Sequence, residues 1–289
     1  MAGKTKKTEK AKGKAKGNSG KAAVPPAVEE MVEKGSKLMQ ELEARNDPEF
    51  QALALLEDLA ELDNPAEIRG VARKALALDP RCVVAWMELA MASDSAEEAL
   101  PHSERAFAIV VEDFREAGLP VEEDGALTAR LEGMLYARAR MLLADCLEEL
   151  GRGEESMAHR ADLLRLDPSD EAGARYPVAA GMLAAGEHEL LGELFEAFEA
   201  DDSGLWLFTK ALQEFRIAGD SGAARKALKR AKDANPHIIA LLIDEDAELP
   251  EDWEREDDSG DYLEAVQYAD DFGGAWTATP GALRWLAAK

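Results

Sequence analysis

Three short strings, Leu78-Asp79-Pro80, Leu166-Asp167-Pro168 and Ala234-Asn235-Pro236, each close one amphipathic stretch and open the next, and the last two prolines stand 68 residues apart. That interval is twice 34. A chain that restarts at this interval reads as a series of helix pairs, each too small to bury its apolar face alone and completed by stacking on its neighbours. Proline suits the restart, because its missing N–H costs nothing in the first turn of a helix. With the proline at the thirty-second place, the windows are 49–82, 83–116, 137–170, 171–204 and 205–238. Ala, Glu and Leu dominate and β-branched residues are few, so local preference also favours helix. The expected fold class is all-α.

The windows share residues at fixed offsets. The fifth carries Phe208, Ala211, Leu212, Phe215, Gly219, Ala224 and Ala231, and the third carries Leu143, Ala144, Leu147, Gly151 and Ser156 at the corresponding places. The first has Leu55, Leu59 and Ala75, and the second has Trp86, Leu89, Ala90, Ala99 and Ala106 with a turn about three residues short. The fourth is irregular, with Pro177 and Gly181 inside its first helix, where Pro177 should kink the helix or delay its start. Period and offsets together resemble the tetratricopeptide repeat. The resemblance implies a tetratricopeptide-like α-solenoid of about five helix pairs over 28–243, with residues 26–45 as an additional amphipathic capping helix. Residues 112–128 break the period and read as an insertion on one edge.

Charge is unevenly distributed. Residues 1–27 hold eight Lys and one Glu among small residues and read as a disordered Lys-rich tail of charge +7, so the rest of the chain holds −32 of the total of −25. A body of that sign repels nucleic acid and anionic lipid, leaving the tail as the only expected nucleic-acid contact. Residues 244–260 read as an acidic loop, since 244–258 contain ten acids and the single base Arg255. No apolar run approaches the length of a membrane span and residues 1–27 lack the apolar core of a signal peptide, so the expectation is a soluble cytoplasmic chain with no membrane partner.

Residues 261–289 read as C-terminal capping helices, one over 261–271 and a last one over 281–287 entered through Thr279-Pro280, with Trp276 and Trp285 closing the apolar end. The order Asn235-Pro236-His237-Ile238, Leu249-Pro250, Gly260-Asp261, Glu264-Ala265, Tyr268-Ala269, Trp276, Gly281-Ala282-Leu283 resembles the C-terminal region of the suppressor-of-tumorigenicity-seven family. That resemblance covers about 50 residues and implies a scaffold or adaptor rather than a chemistry. Members of that family span membranes, whereas this sequence offers no span.

Few residues suggest catalysis. His102, His159, His188 and His237 are scattered, Cys82 and Cys146 read as small core residues, and no glycine-rich phosphate loop is present. The reading is no enzyme, no cofactor and no metal. In the resembled fold the first helices line a concave face. Here that places Phe50, Glu57, Met87, Met91, Met141, Asp145, Arg175, Tyr176, Trp206 and Lys210 as partner-binding residues. The expected function is a protein–protein interaction scaffold whose partner is an unidentified protein or peptide, apolar with basic flanks, because methionine adapts to varied surfaces and the rim is acidic. The same residues could instead pack against the chain's own terminal helices. The alternative function is a nucleic-acid- or ribosome-associated factor anchored by the Lys-rich tail.

Overall fold

The computed structural model describes residues 47–57, 59, 62–119, 121, 123–127, 131–244, 247, 249 and 262–288. The tail 1–27, the capping stretch 26–45 and most of the acidic loop 244–260 therefore lie outside the described residues. Two units are distinguished, 1–51 and 52–289, and only the start of one helix is described in the first. Among the described residues there are thirteen helices and no strand: α1 Pro48–Ala54, α2 Pro65–Leu78, α3 Val83–Met91, α4 Ala96–Glu116, α5 Leu131–Glu149, α6 Gly153–Leu166, α7 Arg175–Ala185, α8 His188–Ala197, α9 Gly204–Ala218, α10 Gly222–Ala234, α11 Ile238–Ile243, α12 Tyr262–Ala278 and α13 Ala282–Ala287. No described helix is long and apolar enough to cross a membrane.

The three proline-bearing strings make the same junction. Asp79, Asp167 and Asn235 stand at the C-caps of α2, α6 and α10, where φ is −130°, −131° and −137° and each backbone N–H donates four residues back. The extended conformation follows from the next residue, since proline disfavours helical geometry in the residue before it. Each cap side chain then accepts from the backbone two residues on, Asp79 Oδ1 from Arg81 N–H at 2.9 Å, Asp167 Oδ1 from Ser169 N–H at 3.2 Å and Asn235 Oδ1 from His237 N–H at 2.9 Å. Ser95, Ser203 and Ser221 cap the starts of α4, α9 and α10 with their side-chain oxygens. Gly219 turns α9 into α10 at φ +62°, in the left-handed region that favours glycine. Pro177 falls in the first turn of α7, where no intrahelical N–H is lost, so the helix starts late and continues.

Consecutive helices pack on one another from α2 through α8, and α9 packs on α10. The first helices of successive pairs also meet, α3 with α5 and α7 with α9. This all-helical order is compatible with an α-solenoid. Residues 112–128 differ from the expected insertion. Helix α4 runs on to Glu116 because Val110 and Phe114 extend its buried stripe, and only then does the chain leave the helix. Its return is held against the end of α6, where Gly125 N–H donates to Arg165 O at 2.9 Å, Leu127 N–H donates to Leu166 O at 3.0 Å, and Arg165 pairs with Asp124 at 3.0 Å.

The C-terminal segment departs further from expectation. The helix read over 261–271 continues to Ala278, with Ala265, Tyr268, Phe272 and Trp276 buried on one face, and it packs on α7 and α9. Glu264 anchors its start. Glu264 Oε1 accepts from Gly204 N–H at 2.8 Å and Leu205 N–H at 3.4 Å, and Oε2 accepts from Asn235 Nδ2 at 2.7 Å, so the carboxylate meets the positive end of the α9 dipole. Gly204 permits the approach, for a Cβ there would lie 2.6 Å from Glu264 Oε2 and 2.7 Å from Asn235 Cβ. At the far end Arg216 donates to Thr279 Oγ1 at 2.8 Å, to Ala275 O at 3.0 Å and to Leu183 O. Thr279 is thus engaged by α9 and does not cap the last helix, whose entry is made by Gly281 at φ +83°. Trp276 and Trp285 lie in the core, their indole N–H groups donating to Tyr268 Oη at 2.9 Å and Asp220 Oδ1 at 2.6 Å.

Between α4, α5 and α6 sits a polar cluster inside an aromatic wall. Arg140 is buried, pairs with Asp162, donates from Nε to His159 Nδ1 at 3.2 Å, and lies 5.4 Å from the Phe107 ring centroid. Burial, with Arg140 adding, holds His159 below its ordinary value of 6.5, and burial and Arg73 do the same to His102. Both imidazoles are therefore favoured neutral in the folded chain. Their contribution is fully present above the unfolded value of 6.5 and is lost as pH falls through the lower folded values. Denaturant midpoints are accordingly expected to fall from pH 7 to pH 5, and His159→Gln, which keeps an acceptor for Arg140, should flatten that slope. An unchanged slope in the variant would contradict the assignment.

Candidate functional site

A space of about 830 Å³ opens between α5 and α7. Its floor is apolar, with Met141 from α5, Met157 from α6, and Tyr176, Pro177 and Ala180 from α7. Its walls are acidic. Helix α5 contributes Asp145 and Glu148, one turn apart, and the returning α12 contributes Gln267, Asp270 and Asp271. The volume lies within the range of ligand sites, and the lining is about as polar as it is apolar.

One cation belongs to this site. Arg160 of α6, its side chain 9% exposed, places Nη2 at 2.9 Å from Asp145 Oδ1 and Nη1 at 3.3 Å from Glu148 Oε2. Its Nε is buried and has no hydrogen-bond partner. Asp270 and Asp271 have no cation paired with them among the described residues. Burial pushes the Asp271 carboxyl above its ordinary value, Asp270 and Asp145 add to the rise, and Arg160 opposes it.

Of the residues read from the sequence as partner-binding, Met141, Asp145 and Tyr176 come together here. Two others are corrected. Met87 is buried in the cluster formed with Ile109, Tyr136 and Leu163, and Trp206 is enclosed by Tyr176, Phe195 and Phe198 with its Nε1 donating to Phe198 O at 3.1 Å. The physical reason at α9 is that α7 and the end of α8 close over Trp206, while α12 packs on the neighbouring part of the helix. Tyr268 is fully enclosed beside Phe208, and Thr209, on the same face as Trp206, is buried too. Arg175 is also drawn inward, paired with Asp170 at 2.9 Å and with Asp201 at 2.8 Å. Lys210 lies half-buried with Nζ 5.1 Å from the Phe195 centroid, Met91 is half-exposed at the end of α3, Glu57 is exposed, and Phe50 is half-buried on α1. None of these four lines the cavity.

Gln267, Asp270 and Asp271 were missed by sequence reasoning. Their helix has a legible apolar stripe, but nothing local in the sequence indicates that it folds back across α7. The scattered histidines stay apart, and His188 hydrogen-bonds Gln213 Oε1 at 2.8 Å. Among the described residues no group of His, Cys, Asp and Glu is arranged to hold a metal. Cys82 and Cys146 are buried, and burial pushes the Cys146 thiol up. No protein-family model and no curated protein matches this chain.

Proposed function

We propose that this chain is a protein–protein interaction scaffold of the tetratricopeptide-like type, without catalysis, which receives a segment of a partner protein on the inner face of its first helices. The observation that carries the reading is the cavity of about 830 Å³ between α5 and α7, with Met141, Met157 and Tyr176 in its floor. The common geometry at Asp79, Asp167 and Asn235 supports repetition of one structural unit. Helix α12 supports a particular division of labour. It packs on α9 through buried contacts and Glu264 and lines the space beside α5 that a partner would enter.

Selection of short peptides from a random displayed library against the full-length chain tests this. Binders should compete with one another for one site and should be lost on Ala184→Trp, which places an indole at the exposed edge of the cavity lining. Binders indifferent to that substitution would overturn the reading. So would an absence of binders together with salt-sensitive retention of nucleic acid, the outcome expected of a factor anchored by its Lys-rich tail.

A further inference from the structure

We propose that the cavity between α5 and α7 selects a cationic side chain in the bound segment, received by Asp270 and Asp271, beside an apolar residue seated against Met141, Met157 and Pro177. The inference rests on the proposed function and adds the chemistry of the occupant.

The chain's own Arg160 shows what this site does with a cation. Its guanidinium is held across two carboxylates one turn apart, Asp145 and Glu148, with the aliphatic stem packed away from water. The facing wall on α12 repeats the carboxylates and lacks the cation. Four acids and one base thus surround a space whose floor is methionine and proline. The excess of negative charge disfavours a phosphorylated or acidic segment, and the apolar floor disfavours a purely polar one. A basic residue next to Leu, Met or Phe satisfies both surfaces at once. The balance at Asp271 agrees, since a second cation would act on it in the same direction as Arg160 does now.

Peptides selected against the full-length chain provide the probe, and fluorescence anisotropy with the wild-type chain and with Asp270→Asn/Asp271→Asn gives the readout. Both aspartates are exposed at the helix surface, so the double variant should melt at the wild-type temperature, and that is checked first. The selected sequences should carry Arg or Lys adjacent to an apolar residue. Their affinity should fall about ten-fold or more in the double variant and should weaken with added salt in the wild type. Peptides without a basic residue that retain affinity in the double variant, yet are lost on Ala184→Trp, would overturn this inference while leaving the proposed function in place. Peptides unaffected by Ala184→Trp would overturn both.

Discussion

Trp206→Ala is expected to lower unfolding stability by about 4 kcal/mol, the range seen when a large buried aromatic is removed from a core. The side chain has no exposed surface and meets Phe195 at 4.9 Å and Tyr176 at 5.9 Å, both edge-on. Its indole N–H also satisfies the carbonyl of Phe198, at the end of α8, and alanine leaves that acceptor without its partner. Urea or thermal unfolding followed by circular dichroism measures the effect. A surface groove residue would behave differently, since the variant would keep its stability and lose only partner affinity. A loss below about 1 kcal/mol would therefore restore Trp206 to the binding face and contradict its place in the core.

Arg175→Ala should cost about 3–5 kcal/mol for an electrostatic reason. The Asp170 and Asp201 side chains are 2% and 9% exposed, and Arg175 is the cation paired with both. Asp170 is committed to the site by more than charge. Its carboxylate accepts from Ala174 N–H at 2.7 Å and Arg175 N–H at 3.0 Å at the start of α7, and its backbone is held at φ +54°. Without the guanidinium, two carboxylates remain in a site that excludes water. Burial already pushes the Asp170 carboxyl up, opposed by the Arg175 and Ala174 backbone N–H groups, which alanine keeps, and by the Arg175 guanidinium, which it removes. The variant should thus be least impaired in acid, where the carboxyls take up protons, and most impaired near neutrality. Adding Asp201→Asn to Arg175→Ala should recover part of the loss, so that the two effects are not additive. Simple additivity would contradict the pairing.

What could be read from the sequence divides along local and non-local lines. The junctions at Asp79, Asp167 and Asn235 were legible because proline acts on the residue before it, and a short polar side chain in that place bonds the turn just beyond. The late start of α7 followed from Pro177 by the same local rule. The extent of α12 was partly legible. Ala265, Tyr268, Phe272 and Trp276 repeat at helical spacing, but Gly273-Gly274 lies among them, and a glycine pair weakens helix propensity enough to suggest an end at residue 271. Its destination was not legible. Glu264 docks on Gly204, sixty residues away, through a contact that depends on the absence of a side chain at Gly204. The return of α12, of which this contact is one part, changes the candidate site, because it brings Asp270 and Asp271 to the cavity beside α5. Repeat position alone puts Met141, Asp145 and Tyr176 on one face, and the three line the same cavity. Trp206 was misplaced because repeat position specifies the inner face without specifying what covers it.

The most direct measurement is hydrogen–deuterium exchange of the full-length chain with and without a selected peptide at saturating concentration. The expected result is added protection in peptic fragments covering 141–148, 157–160, 172–184 and 264–273, with α9 unchanged because α7, α8 and α12 already pack on it. Protection confined to fragments outside those segments, or none in any fragment while the peptide is demonstrably bound, would contradict the cavity as the partner site.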